Sequence, residues 1–116
     1  GHDGSLSTGH ANSPKDMLSR LESMVLMGMD LPLGAVQRQI ASGIDIIVHL
    51  GRLRDKSRKV LEVSEILGYQ DGEILVSPLY RFEETGEKDG KIQGTWRKMD
   101  DLVHTQKLLA AGYKEV

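Results

Sequence analysis

The spacing of apolar residues changes once along this chain, near Gly43, and that change limits the architectures open to it. Before it, Met17, Leu18, Leu21, Met24, Val25 and Met27 recur at helical spacing and define one amphipathic helix. Ser13 followed by Pro14, with Asp16 in the first turn, predicts its start, and Gly28 its end. Asp30 and Pro32 open a second helix carrying Leu33, Val36 and Ile40, which runs to about Gly43. After the change, Ile44 to Leu50 is β-branched and apolar at both parities, the pattern of a strand buried on both faces. Val60 to Leu67 resumes strand chemistry, and Asp71-Gly72 predicts a two-residue hairpin turn with positive φ at both central positions. The third strand, Glu73 to Phe82, contains Pro78, which cannot donate to a ladder and points to an edge position.

Outside this frame, Ser5 to Thr8 reads as a brief strand between glycines, and Met24, Met27 and Met29 as packing residues. The charged, Gly-rich stretch EETGEKDGKIQGT, residues 83–95, reads as a mobile surface loop. Met99, Leu102, Val103, Leu109, Ala110 and Tyr113 place one apolar face on a last helix closed by Gly112. The predicted order is therefore short strand, two helices, three-stranded antiparallel meander and C-terminal helix, an α/β chain.

A length of 116 residues accommodates one domain, taken as residues 1–116, and excludes two. With 15 Lys plus Arg against 17 Asp plus Glu the formal charge is −2, which lacks the basic excess of a general nucleic-acid binder. The absence of cysteine removes disulfides and thiolate metal sites. No apolar run is long enough to span a bilayer and no signal-peptide pattern opens the chain, so a cytoplasmic location is expected. The chain opens on Gly1 with GHDGSLSTGHANSP, which has the character of a domain interior and suggests a segment of a larger protein.

Three stretches carry possible chemistry. In the opening, His10 and Asn12 precede a helix N-terminus, where an imidazole, an amide and backbone N–H groups could meet an anion; the same residues also make a plain turn and N-cap. His2 and His10 lie too far apart for a helical metal pair and have no third ligand, so no metal site is expected. GEKDGK, residues 86–91, has one residue too few between its glycines for a Walker A loop, Ile92 where Ser or Thr is required, and two acids that would repel phosphate. Arg52, Arg54, Lys56, Arg58 and Lys59 put five cations into eight residues, suited either to an anionic partner or to a solvated hairpin tip. Arg20 sits at the buried edge of the first helix, where it can snorkel, and His49 reads as a core histidine.

The run GHDGSLSTGHANSPKDMLSRLESMVLMGMDLP resembles the histidine-box region of type II and type IV secretion ATPases, above all the CpaF family of tight-adherence (Flp) pilus assembly. QIASGIDIIVHLGRLRDKSRKVLEVSEILGY is similar to the sequence that follows in that family, and GKIQG with LLAAGY to its C-terminal end. The resemblance implies the C-terminal part of a RecA-like P-loop ATPase domain, a hexamer peripheral to the cytoplasmic face of the inner membrane. There it would use ATP and Mg²⁺ and engage a membrane platform protein, with pilins or exported proteins as cargo and no nucleic acid. It assigns His10 as the histidine-box residue at the γ-phosphate region and places Thr8 and His2 in the same box, with Gly9 where many relatives carry an apolar residue. Arg52, Arg54 and Arg58 become candidates for nucleotide or intersubunit contacts. The family's Walker A and Walker B groups are not found in these residues, so the segment alone is expected to be inactive, to hold no tightly bound nucleotide, and to self-associate. Two other readings stand beside it: a non-catalytic assembly module, and a standalone binder of phosphate ligands.

Overall fold

The computed structural model describes residues 8–28 and 32–113. Its elements are α1 (Pro14–Gly28), α2 (Leu33–Gly43), β1 (Ile46–Arg52), β2 (Arg58–Gln70), β3 (Glu73–Lys88), β4 (Lys91–Lys98) and α3 (Gln106–Ala110). The four strands form one antiparallel sheet in the order β1-β2-β3-β4. The chain is thus α/β with an antiparallel sheet and helices.

Local chemistry sets the helix boundaries. The Ser13 hydroxyl accepts the Asp16 N–H at 3.0 Å. The Asp16 carboxylate in turn accepts the Asn12 N–H at 3.0 Å and the Arg20 Nε at 3.1 Å. These contacts satisfy donors that a helix start leaves free. Replacing Ser13 by Ala should lower stability by about 1 kcal/mol, and the fall in thermal midpoint measures it. At the far end of α2 the Ile44 N–H closes on the Ile40 carbonyl at 3.1 Å, after which the chain is extended.

Helices α1 and α2 pack on one face of the sheet, α1 over β1 and α2 over β2 and β3. Leu18, Val36, Ile40 and Ile66 form the core, flanked by Leu21, Val25, Ile47, Ile74 and Val76. Adjacent strand residues point to opposite faces, so Glu65, next to Ile66, faces away from the helices. Residues 99–113 cover it there: Met99 N–H donates to the Leu79 carbonyl at 2.7 Å, and Val103 and His104 N–H donate to the Glu65 carboxylate at 2.8 and 2.9 Å.

Several expectations are corrected. The strand from Ile44 to Leu50 is not buried on both faces: β1 is an edge strand whose Ile46, Val48 and Leu50 are exposed. Conversely, the Pro78 strand is interior, paired with both β2 and β4. The register shifts beside Pro78, between Val63 and Ser64, and the bulge accommodates the missing donor. Residues 83–95 are not a loop. They complete β3 and build β4, joined by a turn with Asp89 and Gly90 at φ 52° and 77°, nearly repeating Asp71 and Gly72 at 52° and 82°. The meander has four strands, not three.

The last helix shrinks to Gln106–Ala110, with Gly112 at φ 101° ending it; Met99, Val103, Leu109 and Tyr113 are exposed instead of forming a buried face. Met24 and Met27 are exposed as well, so they are not packing residues. His49 is half-buried on the edge strand and stands opposite Glu62, not in the core. Of the short strand at Ser5 to Thr8, all but Thr8 lies outside the described residues, as does Met29, and Thr8 itself has no regular structure. No helix among the described residues is long and apolar enough to cross a membrane.

Candidate functional site

Thr8, Gly9 and His10 run against the first turns of α1 and, with Met17, Arg20, Leu21 and Met24, line an open recess of about 460 Å³. The Ser13 cap fixes where α1 begins and so holds the His10 segment beside it. A Cβ at Gly9 would meet the Met17 Cε, the far end of a flexible side chain that can turn aside. Arg20 is exposed and held by the Asp16 carboxylate at 3.1 Å, so it presents its guanidinium to the recess rim instead of snorkelling along the core. Asp16 is held below the usual carboxylate range, first by the Asn12 N–H and then by Arg20. The recess therefore offers a hydroxyl, an imidazole and a guanidinium above an apolar floor.

These groups suit one end of an anionic ligand. A Mg²⁺-nucleotide would also need a lysine and backbone cradle for its phosphates and a carboxylate for the metal. None lines the recess, and no metal-binding cluster of His, Asp and Glu occurs among the described residues. The recess by itself therefore lacks most of the contacts that such a ligand requires.

The basic cluster forms a second, separate feature. Arg52 closes β1 and stands directly opposite Arg58 at the start of β2. Like charges in that position are destabilising unless an anion lies near. Arg54, in the intervening turn, is tied to Glu84 and also reaches Glu87 at 3.6 Å. Glu84 raises the Arg54 pKa above its usual value and is itself lowered by it. Asp55 fastens the same turn: its carboxylate accepts the Ile92 N–H at 2.8 Å and the Ser57 N–H at 2.9 Å, and these bonds lower its pKa to about 2. Lys59 lies over the Phe82 ring, 6.0 Å from its centroid.

The structure therefore gathers Thr8 and His10 in the recess and sets Arg52, Arg54 and Arg58 apart from it. His2 lies outside the described residues. Sequence reasoning missed Glu65, only 1% exposed, and Asp55, each of which accepts hydrogen bonds across long sequence separations. Glu62 and Glu65 both interrupt the apolar run of β2, so the sequence held no signal that sets Glu65 apart.

No family model matches the chain. A stretch of 74 residues, 64% of the chain, is 30% identical to each of two Mycobacterium tuberculosis proteins, one from strain CDC 1551 / Oshkosh and one from strain ATCC 25618 / H37Rv. Both bear the name "Putative conjugal transfer protein". The match covers 20% of each, so the chain spans about a fifth of the length of these curated relatives.

Proposed function

We propose that these residues serve as the C-terminal part of a transfer or secretion motor, a RecA-like P-loop ATPase of the CpaF, tight-adherence pilus kind. The observation that carries the reading is the recess in which Thr8 and His10 of the histidine-box-like run stand beside Arg20 at the start of α1. The similarity to two proteins named for conjugal transfer supports the wider transfer or secretion assignment. In this reading the P-loop, the Walker B acid and the Mg²⁺ site belong to a preceding segment of the complete protein. His10 meets the γ-phosphate and reports hydrolysis to α1, while Thr8 and His2 complete the box. ATP bound with Mg²⁺ supplies the driving reaction; the chain's own contribution is a positioned imidazole and hydroxyl at the phosphate end.

Arg52 and Arg58 serve intersubunit or nucleotide contacts, since their mutual repulsion is relieved by a facing anion. Arg54 has a smaller role in such contacts, because Glu84 and Glu87 already engage it. The complete protein would work as a homo-hexamer on the cytoplasmic side of the inner membrane, against a platform protein.

The test is ATP hydrolysis by a longer polypeptide in which these 116 residues follow a P-loop half, with the isolated chain as control. The longer protein should hydrolyse ATP with Mg²⁺, and the isolated chain should not. His10→Ala in the longer protein should lower kcat by roughly 10- to 100-fold while nucleotide affinity changes little, the signature of a contact made chiefly in the transition state. Turnover by the isolated chain that His10→Ala abolishes would refute the reading.

A further inference from the structure

We infer that the sheet face turned away from α1 and α2 seats an acidic amphipathic helix of a neighbouring polypeptide. The apolar side of that helix lies on Val48, Leu50, Val60, Val63 and Tyr80, and its carboxylates meet Arg52 and Arg58. The inference rests on the intersubunit role proposed above for Arg52 and Arg58, which it narrows to a protein partner. Its test uses no nucleotide, so peptide binding and ATP hydrolysis can fail separately.

Alternation and register set the floor of the site. Along β1, Ile46, Val48, Leu50 and Arg52 share one face, while Ile47, which packs against the core under the helices, lies on the other. The residues standing opposite Val48, Leu50 and Arg52 are Val63, Val60 and Arg58, and Tyr80 stands opposite Val63. Lys98 stands opposite Tyr80, so Trp96, two residues away on β4, shares this face; its Nε1–H donates to the Val60 carbonyl at 2.6 Å. Val48 and Leu50 are 52 and 64% exposed, and Tyr80 and Trp96 are exposed as well. A contiguous apolar patch with a charged rim marks an interaction site, and the layer that covers a sheet face opposite its own helices is another helix.

Two boundaries on this face select the occupant. At one, residues 99–104 cross β3 and β2: the Met99 N–H lies on the Leu79 carbonyl, the Val103 and His104 N–H groups on the Glu65 carboxylate, and the His104 ring on the Leu67 carbonyl. At the other, Arg52 and Arg58 stand opposite each other, both exposed, and neither forms an ion pair among the described residues. Ile46 stands opposite Glu65 and is six residues from Arg52, so the floor between the boundaries is roughly 20 Å wide. One helix with its side chains is about 10–12 Å across and fits that width. The facing guanidinium groups destabilise each other unless carboxylates stand near, so charge complementarity puts acids on the flank of the helix beside them. A flat anionic bilayer suits the site less, because the crossing segment stands above the floor and carries the exposed acids Asp100 and Asp101.

Trp96 is the single tryptophan of the 116-residue chain, so its emission reports directly on this face. The probe is a synthetic peptide of roughly 18 residues, built from Leu, Ala and Glu with its leucines on one helical face. It is compared with a twin carrying Lys for Glu, a scrambled twin of the same composition, and phosphatidylserine vesicles. The acidic peptide should shift Trp96 emission saturably and gain helical circular dichroism on binding, whereas the two twins and the vesicles should not shift it. Arg52→Glu with Arg58→Glu should raise the dissociation constant at least roughly tenfold and admit the Lys twin. Val48→Asp should weaken binding comparably, and Met27→Ser, on α1 at the opposite face, should leave it alone; far-UV spectra of the variants check that they fold. An acidic peptide that gives no saturable shift, or binds without becoming helical, would overturn the inference. So would a Lys twin that binds wild type equally well, an Arg52→Glu, Arg58→Glu chain that binds as tightly as wild type, or vesicles that shift the emission where the peptide does not.

Discussion

Replacing Glu65 by Leu should release residues 99–113 from the sheet while the sheet and its two helices stay folded. Glu65 is 1% exposed, and its carboxylate receives both the Val103 and the His104 N–H. A hydrogen bond to a charged acceptor contributes about 1.5–3 kcal/mol, and the segment has little else to hold it. Its Met99, Val103, Leu109 and Tyr113 side chains are largely exposed, so apolar burial adds little. What remains is the Met99 N–H on Leu79, the exposed ion pair of Asp101 with Lys98 at 2.6 Å, and the His104 ring nitrogen, which at 2.8 Å donates to the Leu67 carbonyl. Leucine fits a strand position and removes the cost of burying a carboxylate, so β2 itself should tolerate the change.

Amide hydrogen exchange separates local release from global unfolding. Exchange at residues 101–112 should accelerate by roughly 100-fold or more, as expected when about 3 kcal/mol of anchoring is lost. Amides of α2 and β2 should keep their protection. Glu65→Gln, which keeps one carbonyl acceptor, should fall between. Unchanged exchange in the C-terminal segment of Glu65→Leu would show that the carboxylate is not its anchor.

How far such features were legible depended on whether their cause is local. Ser13, Pro14 and Asp16 announce α1 because a cap is made within four residues, and Asp71-Gly72 announces its turn for the same reason. Asp89-Gly90 carries the same signal, but within a charged, Gly-rich stretch that has the composition of a loop. Its flanking strands are mostly exposed, with Ile92 the one buried residue between Glu83 and Lys98; hydrophobic period reports burial, and one buried residue leaves almost no period to read. β1 failed in the opposite sense. Its uniform apolar run fits a strand covered on both sides, and only its position in the sheet shows that one side and one edge are open. Pro78 pointed to an edge until the bulge beside it supplied another solution.

The site divides along the same line. Thr8 and His10 share a recess because they are neighbours in sequence and the α1 cap holds them there. Arg54 reads in sequence as a free cation, but its partners lie 30 or more residues away on β3. Glu65 and Asp55 have partners 38 and 37 residues distant, which no local pattern encodes.

Asp55 also sets an expected acid limb of stability. Its folded-state pKa, lowered to about 2 from 3.8 by the Ile92 and Ser57 N–H groups and the Ser57 hydroxyl, means that folding favours the ionised form. The contribution is therefore complete above the unfolded value, near pH 4, and is lost as pH falls through the folded value near 2. Asp16, Glu84 and Asp101 are lowered in the same direction, by the Asn12 N–H, by Arg54 and by Lys98 respectively, so the wild-type chain should weaken steadily on acidification. The share due to Asp55 is isolated by Asp55→Asn, whose amide oxygen can replace only one carboxylate oxygen. One N–H, that of Ile92 or of Ser57, then loses its partner, and the β1–β2 turn loosens from β4. Urea titrations of both chains from pH 7 to pH 2 should give a stability difference that is constant above about pH 5 and shrinks toward zero as Asp55 protonates. A difference that stays constant to pH 2, or widens on acidification, would mean that the carboxylate charge does not fasten this turn.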